Sequence, residues 1–219
     1  MKAATLADLK NSLRDRFGPE VLVRDKPEQE YVLTGLGSLT FPRGTLSEIT
    51  GAASSGRTSM LTALLARSTR RPEFCVLIDA GDTFDPASGR EAGVQLSHLL
   101  WLRCGGSAEK ALKAADLVIQ SGGFGVVALD LASVPTREAR RISLASWFRL
   151  RHAVEKTPTA LIVVSLEHFT ASCSTFHVES QATGFEVRDE LLESISVQTT
   201  LGPRQFTKHT FALKAPYRI

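Results

Sequence analysis

Residues 51 to 58 read Gly-Ala-Ala-Ser-Ser-Gly-Arg-Thr, and this octapeptide restricts the fold more than any other stretch of the chain. Two glycines five apart, followed by Lys and then Ser or Thr, form a phosphate-binding loop. Gly51, Gly56 and Thr58 are in place, and Arg57 stands where the lysine belongs. Glycines at both ends let the backbone curl until successive N–H groups face one anion. The following helix then points its positive end at the same anion. Leu46 to Thr50, just before the loop, alternates apolar and polar residues as a short strand does. Met60, Leu61, Leu64 and Leu65 mark the inner face of a helix that starts near Arg57. The candidate nucleotide-binding residues are therefore Gly51, Ser54, Ser55, Gly56, Arg57, Thr58 and Ser59. The competing reading is a plain glycine turn between a strand and a helix.

The rest of the chain repeats the strand–helix alternation. Leu6, Leu9, Leu13 and Phe17 fall at helical spacing, with Thr5 and Asp8 placed as a capping box, so residues 1–17 read as an amphipathic helix. Phe74 to Asp79, Gly125 to Asp130 and Ala160 to Ser165 are apolar runs of buried-strand type. Helices are expected over residues 57–68, 88–98, 108–121 and 137–156. After residue 170 the helical period disappears. Short strands are expected over 175–180, 185–187, 195–200 and 206–213, with Gly202-Pro203 turning the last pair. The expected architecture is an α/β fold: a mostly parallel sheet flanked by helices, with a small C-terminal β extension. Its parts would be an N-terminal helix and linker (1–34), a P-loop core (35–185) and a C-terminal hairpin extension (186–219).

Composition narrows the setting. A chain of 219 residues that is 43% hydrophobic can build one sizeable core. It has no apolar stretch near the 20 residues that span a bilayer, and no membrane role is expected. Met1 to Asp8 has no apolar core and carries an early acid, so no secretory leader is expected. Cys75, Cys104 and Cys173 are scattered without metal-ligand spacing and read as reduced thiols of a cytoplasmic protein. The net charge is only +3. Residues 131–156, however, gather Arg137, Arg140, Arg141, Arg149, Arg151 and Lys156 against Glu138 and Glu155. Residues 202–219 hold four cations and no acid.

Asp130 closes the apolar run Val126 to Leu129, as does the acid that holds magnesium in nucleotide sites. Thr58 would supply a hydroxyl to the same ion, and Asp79 ends the neighbouring buried run. ATP and Mg2+ are the expected ligands, with Thr58, Asp130 and Asp79 as candidate metal ligands.

Residues 42–58 resemble the phosphate loop of the RecA recombinases, and Leu77 to Pro86 resembles the segment after that family's next strand. The resemblance covers about residues 35–170. The stretch His98 to Cys104, with Ala111 to Asp130, is similar to ImuA, a shortened RecA relative of mutagenic DNA repair. It implies a RecA-like P-loop core and a role in DNA repair. Three departures accompany it. Arg57 replaces the lysine. Gly81 stands where the family carries the glutamate that activates water, with Asp82 next to it as the remaining candidate acid. Ser165-Leu166 stands where a glutamine senses the γ-phosphate. Because hydrolysis depends on positioned water and neutralised charge, ATP binding with little turnover is expected.

The basic segment falls where the family places a DNA-facing loop and helix. Arg137, Arg140, Arg141, Arg149 and Lys156 are therefore candidate contacts to single-stranded DNA, against the alternative of an ordinary solvated helix face. Leu6, Leu9 and Leu13 are candidate contacts to RecA or another RecA-like subunit, against packing on their own core. A translesion polymerase is the other partner that the resemblance implies. Two rival functions stay open: an active DNA-dependent ATPase and a nucleotide-independent interaction module.

Overall fold

Apolar runs without alternation must be covered on both sides, and covering them decides the architecture. A computed structural model describes residues 30–155, 157–188, 191–202 and 208–214. A small antiparallel hairpin comes first, β1 (Tyr31–Leu33) and β2 (Thr40–Pro42). The main sheet comprises β3 (Thr45–Thr50), β4 (Phe74–Asp79), β5 (Leu99–Arg103), β6 (Phe124–Asp130), β7 (Ala160–Ser165), β8 (Phe176–Arg188), β9 (Leu191–Gly202) and β10 (Lys208–Lys214). Its spatial order is β10-β9-β8-β3-β7-β6-β4-β5. The strands from β8 to β5 in that order run parallel, and β9 and β10 add antiparallel at one side.

The helices are α1 (Arg57–Thr69), α2 (Pro86–Glu91), α3 (Ala108–Ser121), α4 (Thr136–Ala139) and α5 (Leu144–Val154). One face of the sheet packs Ile49, Leu77, Ala128 and Ile162 against Met60, Leu61, Leu64 and Leu65 of α1 and Phe41 of the hairpin. The other packs Leu46, Val76, Leu129 and Val163 against Ala111, Ala115 and Ile119 of α3 and Trp147 and Leu150 of α5. Parallel strands bring their carboxyl ends to one edge. Thr50 lies opposite Ser165, and Asp79 opposite Asp130.

The structure corrects several sequence expectations. The short strand expected over Leu46 to Thr50 is β3, and it lies between β7 and β8 with every residue from Leu46 to Thr50 buried. The helix expected over 88–98 is the shorter α2, started by the Asp85 side chain, which accepts from the Ala87 and Ser88 N–H groups. A 3-10 turn at Leu96–His98 then leads into β5, an edge strand the periodicity did not reveal because only five residues pair, all with β4. The helix expected over 137–156 is broken into α4 and α5, since Ser143 caps a new start by accepting from Ser146 N–H at 3.2 Å. Two of the short strands expected after residue 170 are one continuous strand, β8. The expected N-terminal helix with Leu6, Leu9 and Leu13, and also Lys156 and Pro203, lie outside the described residues. Among the described residues no helix is long and apolar enough to cross a membrane.

Trp147 is 1% exposed and fills the centre of the second face. Trp147→Ala is expected to lower unfolding free energy by about 3–5 kcal/mol, read as a shift of the urea midpoint. Leu144→Ala on the exposed end of the same helix should move it far less.

Candidate functional site

The loop from Gly51 to Gly56 joins the end of β3 to the start of α1. Gly56 takes φ 89°, a left-handed conformation that favours glycine, and turns the chain into the helix. No side chain caps the N-terminus of α1 and its first turn holds no acid, so those N–H groups are left for an outside acceptor. Gly51 is required by close approach. A Cβ there would stand 2.3 Å from Ser55 Oγ and 2.6 Å from the Ser180 carbonyl oxygen. Ser180 of β8 also donates its hydroxyl to the Ser55 carbonyl at 2.7 Å, fastening the loop to the sheet. Ser54, at φ 60°, and Thr58 are exposed, and Ser59 is half-buried.

Arg57 folds back over this loop. Its Nη1 donates to the Gly51 carbonyl oxygen. Burial pulls the guanidinium below its ordinary pKa, and the charge of Asp130 offsets part of that. Asp130 is 8% exposed and accepts from Ala132 N–H at 2.9 Å. Burial pushes its carboxyl up to about 6; the Ala132 bond and Arg57 pull it down, and Asp79 pushes it further up. The charges of Arg57 and Asp130 thus act on each other through space.

The two acids after β4 are diverted from this mouth. Asp79, 1% exposed, accepts from Thr83 N–H at 3.1 Å, Phe84 N–H at 2.8 Å and the Trp101 indole N–H at 3.2 Å. Its oxygens hold the β4–α2 turn and the β5 edge. Asp82, at φ 56°, accepts from Cys104 N–H at 3.1 Å, Gly105 N–H at 3.2 Å and Arg103 at 3.2 Å. The Asp82 carboxylate is thereby fixed on the turn after β5. Gly81 is packed shut. A Cβ there would stand 1.8 Å from Ser133 Oγ and 2.7 Å from Ser133 Cβ.

Beside the loop lies a cluster that the sequence pattern did not single out. Glu48, on β3, is fully buried and accepts five hydrogen bonds: Ser165 Oγ at 3.0 Å, Phe169 N–H at 3.0 Å, Thr170 Oγ1 at 2.6 Å, Thr170 N–H at 3.4 Å, and His168 Nδ1. His168 stacks on His177, ring centroids 4.4 Å apart, and His177 Nε2 pairs with Thr50 Oγ1 at 2.8 Å. Glu48, His168 and His177 have the spacing of a metal-ligand group. The five donors already satisfy the carboxylate, and the arrangement is that of a buried carboxylate paired with an exposed imidazole. A charged residue inside a strand flanked by parallel neighbours was the available signal.

Of the basic candidates, Arg137, Arg140, Arg141 and Arg149 lie on α4, α5 and the turn between them, all exposed. Arg140 pairs with Glu167 at 2.6 Å, and Arg149 with Asp116 at 3.6 Å. Arg137 and Arg141 carry no acid partner among the described residues. Lys113, Arg141 and Arg149 line a cleft of about 480 Å3 between α3 and α5, together with Glu109 and Glu138.

A family model described as the RecA N-terminal domain matches residues 29–141, from the start of the β1–β2 hairpin to the turn after α4. Protein RecA of Rickettsia prowazekii (strain Madrid E) is 32% identical over 145 residues, which is 62% of this chain and 42% of that protein. Protein RecA of Gluconacetobacter polyoxogenes is 31% identical over 150 residues, 63% of this chain and 43% of that protein. Protein RecA of Acinetobacter baumannii (strain AYE) is 29% identical over 149 residues, 63% and 42% respectively. The matched region spans less than half the length of these relatives.

The Glu48–His168 pair predicts a pH dependence. Burial pushes Glu48 up, but the bonds from His168, Thr170 and Phe169 outweigh it and hold it below the ordinary carboxylate value. Its contribution is therefore present above about pH 4.5 and lost as pH falls through the lowered value. The bond to Glu48 holds His168 above the ordinary imidazole value against burial. That contribution is complete below about pH 6.5 and lost as pH rises through the raised value. Urea titrations of wild type and His168→Ala should differ most near pH 5.5 and converge toward alkaline pH. A constant difference would remove His168 protonation from the account.

Proposed function

The chain belongs to the RecA family through its RecA N-terminal domain, and from that premise we propose a nucleotide-binding accessory protein of bacterial DNA repair. It holds ATP at the Gly51–Ser59 loop and hydrolyses little of it. The finer reading is an ImuA-type paralogue, working by contact with RecA or another RecA-like subunit, with single-stranded DNA, or with a translesion polymerase. The support for nucleotide binding is the uncapped N-terminus of α1 behind a loop built on Gly51 and Gly56, with Arg57 in reach. DNA contact is assigned to Arg137 and Arg141, the two exposed cations of the α4–α5 segment without an acid partner among the described residues, with Arg140 and Arg149 beside them. Leu6, Leu9 and Leu13 are assigned to the subunit contact.

One observation carries the argument against turnover. The position that the family resemblance gives to the water-activating acid is Gly81, and Ser133 occupies the space a side chain would need. The acid next to it, Asp82, is bonded to the turn after β5. A γ-phosphate at the loop therefore has no base from this segment, and a transferring phosphoryl group gains little without one.

Purified full-length protein titrated with a fluorescent ATP analogue, with and without single-stranded DNA, is expected to show saturable binding with phosphate release at background. Arg57→Ala should abolish the binding. DNA-stimulated release would replace this reading with that of a working ATPase, and no binding at all with that of an interaction module. Gly81→Glu is expected to cost about 1–3 kcal/mol of stability through the clash with Ser133. Adding Ser133→Gly should restore most of it in denaturant melts. Phosphate release should stay at background in both variants, because Arg57 and Ser165 are unchanged.

A further inference from the structure

We infer that the cleft between the β1–β2 hairpin and α1 is a docking site for an acidic peptide segment of a protein partner, held extended between its two walls. The inference uses no residue of the phosphate loop and stands apart from the nucleotide-binding reading.

The cleft has a volume of about 510 Å3. One wall is the second half of α1 and the residue that follows it, with Ala63, Ala66, Arg67 and Arg70. The other is Leu33 of β1 and the turn after it, with Gly35 and Gly37. That turn is tied down. Thr34 Oγ1 donates to the Leu39 carbonyl oxygen at 2.7 Å and accepts from Leu36 N–H at 3.0 Å. Gly35 and Gly37, at φ 76° and 54°, take the left-handed conformations it needs. A wall fixed in this way exists before a partner arrives, which lowers the ordering cost of binding.

Charge selects the occupant. Arg67 and Arg70 are exposed, and neither has a hydrogen bond or ion pair among the described residues. They are also the only charged side chains among the described residues that line the cleft. The α3–α5 cleft, by contrast, sets Glu109 and Glu138 among its cations. A cation at a helix C-terminus needs no ligand to explain it. Two that share an apolar cleft with no acid require anionic groups from outside.

A bare anion would leave the rest of the cleft unused. Leu33 is 38% exposed, and Ala63 and Ala92 line the same space, so the occupant carries apolar side chains as well. An extended segment meets both demands. Its successive side chains point to opposite sides, and residues two apart stand about 6.5–7 Å from each other. That is close to the roughly 5–6 Å between residues three apart on a helix, the spacing of Arg67 and Arg70. Acids at alternate positions reach the two guanidinium forks, each able to bond both oxygens of a carboxylate. The apolar residues between them reach Leu33. A nucleic-acid strand offers phosphates but nothing for the apolar wall, and among the described residues no aromatic ring lines the cleft on which a base could stack.

The test is fluorescence anisotropy of a labelled, end-blocked peptide, Ser-Glu-Leu-Glu-Leu-Glu-Ser, titrated with full-length protein. Saturable binding is expected. It should weaken about tenfold or more in the double variant Arg67→Ala, Arg70→Ala, and equally with Gln for each Glu of the peptide. Both arginines are exposed, so the double variant should keep the wild-type thermal midpoint. Reversing both charges, with Arg67→Glu and Arg70→Glu, should transfer binding to the peptide that carries Lys for Glu. Equal binding of the Gln peptide, or by the double alanine variant, overturns the inference. So does absence of binding by the Glu peptide. A thymidine oligonucleotide that displaces the peptide, and itself loses affinity in the double alanine variant, overturns it in favour of a nucleic-acid site.

Discussion

A carboxylate with no exposed surface fixes the geometry on which the loop depends. Glu48 sits on the central strand β3, three residues before Gly51, and its five donors come from the end of β7 and the turn that leads to β8. Burying a lone carboxylate would cost several kcal/mol, and each donor offsets part of that. The consequence is structural. The turn cannot leave without stranding the charge, so β7, β3 and β8 are held in register at the edge where the strands end. His177, stacked on His168 and bonded to Thr50, extends the same hold to the last residue before the loop. Ser180, farther along β8, closes it on Ser55. The loop therefore rests on a network of polar bonds centred on a buried carboxylate.

Next to that support, the side chains around the loop mouth are arranged more for holding than for transfer. Three acids end or follow parallel strands, and each is used differently. Asp79 caps the chain turning into α2 and accepts the Trp101 indole. Asp82 holds the backbone after β5. Asp130 alone keeps a charge toward the loop, and Arg57 answers it. Catalysis of phosphoryl transfer requires groups aimed at charge that develops in the transition state. Here Asp79 and Asp82 are aimed chiefly at N–H groups of the fold itself.

Much of the fold was legible in the chain. The runs at Phe74 to Asp79, Phe124 to Asp130 and Ala160 to Ser165 are too apolar and too short for anything but buried strands, and α1 and α3 follow from their inner-face leucines and alanines. The edge strand β5 was not legible, because a strand with one neighbour shows no clean period. Nor was the break between α4 and α5, where a serine cap overrides an otherwise helical pattern. At the site, Arg57 and Gly81 stood out as departures from a motif. Glu48 and Ser133 did not, since their importance comes from partners about 120 and 50 residues away along the chain.

By itself, then, the sequence determined the local chemistry: a left-handed turn that favours glycine at Gly56, a cation fixed at residue 57, and a missing side chain at residue 81. These are properties of single positions and their immediate neighbours, which backbone sterics and residue type decide. The tertiary structure alone decided how the acids are used and whether the empty position at Gly81 is open space. Those outcomes depend on which strands lie side by side and on which distant hydroxyls and N–H groups they carry to one edge. A carboxylate's role follows from the donors that reach it, and only packing determines which donors those are.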